Sequence, residues 1–156
     1  MGERVLVRFL EKYPTSKRTK VVANIYLHND LKNVKEFLQY LYKTTNDKRF
    51  NEPDILAARY VAYCAKALAF APKEKDPKGV DFLSLRIFEP HQINFDIERI
   101  YDVHCYPRKQ SESQRRLNFE GFPKVTVQEC EWDHENNKMI FHENKELKIN
   151  MENSVT

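Results

Sequence analysis

Asp96, Glu98, Asp102 and His104 are the side chains in this chain whose types and spacing could do chemistry. Between residues 93 and 106, Ile93, Phe95, Ile97, Tyr101, Val103 and Cys105 alternate with Asn94, Asp96, Glu98, Asp102 and His104. Period-two alternation predicts a strand with one polar face, on which neighbours two apart are separated by about 6.5–7 Å. Three carboxylates and an imidazole suit magnesium, manganese or zinc. An ion held there could activate water for phosphoester hydrolysis, which defines a metal-dependent hydrolase or nuclease reading. Arg99 and Ile100 break the alternation, so a bulge is expected there, and it would throw Asp96 and Glu98 out of line with Asp102 and His104. A helix capped by Asn94 is the competing local structure; the β-branched residues of the apolar face favour the strand. The simpler reading, the wet face of a half-exposed strand, outweighs the metal site, so neither a metal nor a cofactor is assigned. His104 and Cys105 are adjacent, yet neighbours on a strand point to opposite faces, so they are not read as a nucleophile and its base.

A second constellation is basic. Lys12, Lys17, Arg18 and Lys20 precede or open a strand, and Arg108, Lys109, Arg115 and Arg116 lie in the unpatterned segment 107–116. Two such segments flanking a sheet could straddle phosphates, with Tyr40, Tyr42 or Phe119 stacking on bases. Lys17, Arg18, Lys20, Arg108, Lys109, Arg115 and Arg116 are the candidate nucleic-acid contacts. Against this, the net charge is only +3, and residues 80–106 and 125–156 are acidic, at −3 and −4, while residues 1–79 carry +7. No RNP, helix-turn-helix or zinc-finger signature is present. Arg59 and Lys66 are seven apart on one helix side, read as a solvent-reaching edge or as paired with Asp81 or Glu89, a structural ion pair outweighing a ligand role.

Other chemistry is excluded more firmly. Only Gly2, Gly79 and Gly121 are present, so no glycine-rich loop can cradle a phosphate. No serine stands in a nucleophile-elbow context. Cys64, Cys105 and Cys130 lack CxxC spacing and are read as free thiols of a reducing, cytoplasmic compartment.

The positioning elements follow from periodicity. Val5–Leu10 is a short apolar piece, strand or helix. Lys20–His28 reads as a strand. Leu31–Lys43 reads as a helix with a stripe at Leu31, Val34, Leu38 and Leu41. Pro53–Ala71 is apolar on almost every side, which predicts a helix surrounded by protein, with its Ala58, Ala62, Ala65 and Ala69 stripe letting another element approach closely. Asn51 is expected to cap it. Val80–Phe88 reads as an interior strand. Lys124–Trp132, Met139–His142 and Leu147–Met151 read as a meander with asparagine in the turns.

With two early helices and mostly late strands, the expected class is α+β: two helices on one face of a mostly antiparallel sheet ending in a β-meander. Residues 1–151 are expected to form one domain, with 107–116 a basic surface loop and 152–156 a frayed tail; no membrane segment is expected. The functional expectation is a non-enzymatic binding module whose partner is another protein. The hydrolase and the nucleic-acid readings are the alternatives.

Overall fold

The computed structural model describes residues 4–12, 18–28, 34–44, 51–69, 85–106 and 123–149. Their elements are β1 (Arg4–Lys12), β2 (Thr19–His28), α1 (Val34–Thr44), α2 (Pro53–Ala69), β3 (Leu85–Phe88), β4 (Arg99–Cys105), β5 (Lys124–Asp133), β6 (Lys138–Phe141) and β7 (Lys145–Leu147). The strands form one seven-stranded sheet in the order β3-β2-β1-β4-β5-β6, with β7 also on β5.

The sheet is mixed, which corrects the expectation of a mostly antiparallel sheet closing in a meander. β1 runs parallel to β4, Arg8 opposite Asp102, at the sheet's centre. The N-terminal piece that could have been strand or helix is therefore the central strand. Val5, Val7 and Phe9 face one core cluster and Leu6 the other, so both its faces are covered, as parallel pairing demands. At the other end, β6 pairs with Cys130–Asp133 of β5 and β7 with Val125–Val127. They are two halves of one return strand, not successive strands of a meander. Its break at His142 is stitched by the His142 amide donating to the Glu129 carbonyl and Gln128 Nε2 donating to the His142 carbonyl. In the tight turn between β5 and β6, Asp133 Oδ1 accepts from the amides of Glu135 and Asn136, and Asn137 takes φ 53°. Asparagine there does what glycine usually does.

Three further expectations change. β3 is the edge of the sheet rather than its interior, and Ile87 is 66% exposed. The bulge is not at Arg99–Ile100: β4 keeps unbroken register with β1 and β5 from Arg99 onward, and the register shift lies between Phe9 and Leu10 of β1. The alternation changes phase at Arg99 because residues 95 and 96 form a turn and the strand begins only at Arg99, not at residue 93. Asn51 does not cap α2; its Oδ1 accepts the Tyr106 amide at 2.7 Å, tying the end of β4 to the start of the helix, while the Glu52 carbonyl takes the first helical hydrogen bond from Leu56.

Both helices contribute to the core cluster on one face of the sheet: Val34, Leu38, Leu41 and Tyr42 from α1, Leu56, Ala57, Tyr60 and Cys64 from α2. α2 is not enclosed. Ala58, Ala62 and Ala65 are exposed, so this part of the alanine stripe serves helix propensity and gives a smooth outer surface. Tyr42 is buried and donates its hydroxyl to the Pro123 carbonyl. On the opposite face, Leu6, Tyr26, Phe88, Ile97, Ile100 and Cys130 form a second cluster.

Candidate functional site

The sheet face away from the helices carries a polar row built by register. Asn24, Arg8, Asp102 and Thr126 are successive partners across β2, β1, β4 and β5. Arg8 grips Asp102 bidentately, Nε to Oδ1 at 2.6 Å and Nη2 to Oδ2 at 2.8 Å, with the two side chains 18% and 12% exposed. One residue row along, His104 Nε2 lies 2.9 Å from Thr126 Oγ1. Asn24, 1% exposed, donates through Nδ2 to the carbonyls of both Glu89 and Gln92 and so pins the turn after β3.

The four residues of the hydrolase reading do not converge. Asp102 and His104 share the face. Asp96 sits in the preceding turn and pairs with Arg4 at 3.2 Å. Glu98 is exposed, and its backbone continues the sheet by bonding Arg4 and Cys130. No group of three or more His, Cys, Asp or Glu among the described residues is placed to hold a metal ion. His104 is also a poor base: burial first, then Lys12, Lys124 and Arg8, outweigh Asp102 and hold its imidazole at about 4, so it is neutral near pH 7. Cys105 lies on the helix side of the sheet, back to back with His104. Burial pushes the Cys64 thiol up to about 12 and Cys130 up to about 11, away from the thiolate a nucleophile needs.

Of the nucleic-acid candidates, Arg18 and Lys20 are exposed around the start of β2. Lys17, Arg108, Lys109, Arg115 and Arg116, like Phe119 and the segments 107–116 and 152–156, lie outside the described residues. Tyr42 is removed from the stacking candidates by its burial.

One of several surface hollows among the described residues lies between the helices. Tyr40, Leu41 and Thr44 of α1 and Arg59, Ala62, Tyr63 and Lys66 of α2 line a groove of about 370 Å³. Tyr40, 44% exposed, stacks on Tyr63 with ring centroids 4.2 Å apart. Tyr63 meets the edge of Phe37 at 4.8 Å, Phe37 meets Tyr60, and Tyr60 leans on Phe9 of the central strand. This ladder of rings runs from the sheet to the surface and fixes the groove wall. Residues 59, 62, 63 and 66 occupy one helical face by their spacings of three and four. Arg59 and Lys66 were visible in the sequence as one edge; Tyr63, between them at the same spacing, is the residue that reading missed.

Comparison of the chain with protein-family models, with curated proteins and with solved structures gave no match. No helix among the described residues is long and apolar enough to cross a membrane. The site must speak for itself.

Proposed function

We propose that this protein is a non-enzymatic binding module whose partner is another protein, received as an acidic segment with an aromatic or apolar anchor in the α1–α2 groove. The observation that carries the reading is the groove's composition: an exposed Tyr40–Tyr63 stack and a smooth Ala62 floor, flanked by Arg59 and Lys66. Tyrosine and arginine at the centre of a concave patch are the residues that most often dominate binding energy, and the two cations select a negative partner. On the other sheet face Arg8 and Asp102 are engaged with each other and Asn24 with the backbone, so that row is a structural network. Each tyrosine of the stack already spends one ring face on the other, which suits side-chain insertion better than a run of stacked bases. A reducing, cytoplasmic setting fits the three unpaired thiols.

The test is selection of displayed random peptides on the immobilised protein, followed by fluorescence anisotropy of the enriched sequences. Enriched peptides should be acidic with an aromatic residue, and Ala62→Arg, which fills an exposed position of the groove, should weaken them at least about tenfold, the loss expected for blocking a binding centre. Absence of enrichment, or equal binding to Ala62→Arg, contradicts the reading. Displacement of the peptides by single-stranded RNA would transfer the groove to the nucleic-acid alternative.

A further inference from the structure

The sheet edge formed by β6 and β7 is guarded unevenly. An open strand edge is a template for another strand, and proteins blunt it with charge, proline or bulges. The β7 half carries Lys145 and Glu146, both exposed, and the break at His142 separates it from β6. The β6 half is Lys138, Met139, Ile140 and Phe141, an apolar run behind one lysine. At the opposite edge, Arg86 of β3 lies over the Phe88 ring at 5.7 Å, and Pro90 follows the strand. β6 also belongs to the thinnest part of the sheet. β4 pairs with β5 only as far as Glu129, so among the described residues β6 is the one strand paired with Cys130–Asp133. A two-stranded ribbon is marginal in water, and further strands with an apolar face stabilise it. The register places that face: Cys130 pairs with Phe141 and Trp132 with Met139, so these four share one side, while Glu131, Asp133 and Lys138 stand with Ile140 on the other. Phe141 is 47% exposed.

We propose that β6 pairs antiparallel with β6 of a second copy, about a two-fold axis through Ile140, and joins the two sheets into one. Opposite residues of an antiparallel pair share a face. A two-fold axis normal to the sheet keeps each face on its own side, so it must pass through a residue rather than between two. Centred on Ile140, it sets Met139 of each copy opposite Phe141 of the other, a favourable thioether–ring pair. The row then runs from Trp132 and Met139 of one copy to Phe141 and Cys130 of the other, with no charge in it. Centred on Met139 or Phe141 instead, it would set Ile140 opposite Lys138 or His142. The contact is isologous and closes at two copies. About 90 Å² of each Phe141 ring is there to be covered, against roughly 1,600 Å² for a standard interface. The dimer is therefore weak, and salt leaves it intact because the paired row is uncharged.

Disulfide trapping of the full chain tests the register, with each variant checked for folding by circular dichroism. Ile140→Cys puts a thiol on the axis, where opposite Cα atoms lie about 4.5–5.5 Å apart, within disulfide reach. Lys138→Cys puts one on the same strand and face, too far from its own copy across the axis. Ile87→Cys puts one on the β3 edge. The native thiols Cys64, Cys105 and Cys130 are buried. Under a mild oxidant, Ile140→Cys should form a covalent dimer at least about tenfold faster than the other two, although Lys138 and Ile87 are the more exposed positions. Independently, sedimentation velocity of the wild type should pass from monomer to dimer with rising concentration, in low and high salt alike, and Phe141→Lys should stay monomeric. Equal trapping at the three positions or faster trapping at Ile87 overturns the proposal. So does a wild type that stays monomeric, one that grows beyond a dimer, or a Phe141→Lys variant that associates like the wild type. The α1–α2 groove stays open in such a dimer, so peptide binding there stands or falls separately.

Discussion

Removing the Asp102 carboxylate separates a structural from a chemical role for the polar row. In Asp102→Ala, Arg8 keeps its charge in a site where its side chain is only 18% exposed, and both arms of a bidentate pair at 2.6 and 2.8 Å are lost. Breaking a buried pair by deleting one partner costs about 3–5 kcal/mol. Some water still reaches both groups, so the lower end, about 3 kcal/mol, applies. For a domain of this size each kcal/mol moves the melting temperature by roughly 2–4 °C, which gives a drop of roughly 6–12 °C. The double replacement Arg8→Met with Asp102→Leu removes both charges at similar volume and should return to within about 1 kcal/mol of the wild type. Urea unfolding followed by far-ultraviolet circular dichroism and by Trp132 fluorescence measures all three proteins. A single variant within about 0.5 kcal/mol of the wild type, the range of ordinary surface substitutions, or a double variant weaker than the single, refutes the reasoning.

Other consequences are equally direct. Burial holds the folded His104 imidazole at about 4, below its ordinary 6.5, so the unfolded chain takes the proton first. Its contribution is complete above about pH 6.5 and is lost as pH falls from there through 4, levelling off below; with solvent screening allowed for, the loss is about 1–2 kcal/mol. Stability measured against pH should show that limb, and His104→Gln should flatten it. Ellman's reagent should modify none of Cys64, Cys105 and Cys130 quickly in the native protein and all three in denaturant, because all are buried and burial raises each thiol; one fast-reacting native thiol would contradict this. Tyr42→Phe deletes the hydrogen bond to the Pro123 carbonyl and should lower unfolding stability by about 1 kcal/mol, with no change in peptide binding at the groove.

What the sequence made legible follows from local pattern. The α1 stripe at Val34, Leu38 and Leu41, the β2 run and the β5–β6 hairpin each announce their period within one element, and the asparagine-built turn is a property of a few adjacent residues. What stayed hidden depends on contacts distant in sequence. Arg8 and Asp102 are 94 positions apart and meet only because β1 and β4 run parallel; each is a charge inside an apolar strand, and the opposite signs were the one available clue. The position of β1 at the centre and β3 at the edge is set by strand order, which hydrophobicity alone does not encode. Helix α2 misled for a physical reason: alanine counts as apolar, yet its burial stabilises little, so a helix faced with Ala58, Ala62 and Ala65 can meet water at small cost. The candidate site was half visible, as Arg59 and Lys66 seven apart and Tyr40 on α1. It became a site only when packing set Tyr63 against Tyr40.

Backbone amide shifts read by nuclear magnetic resonance, during titration of the uniformly labelled protein with an acidic, aromatic peptide taken from the selection, test the central claim most directly. Recognition between the helices predicts saturable shifts concentrated at residues 40–44 and 59–66, with the amides of Arg8, Asp102 and His104 unmoved. Shifts centred on the β1–β4 strands and absent from both helices would contradict it.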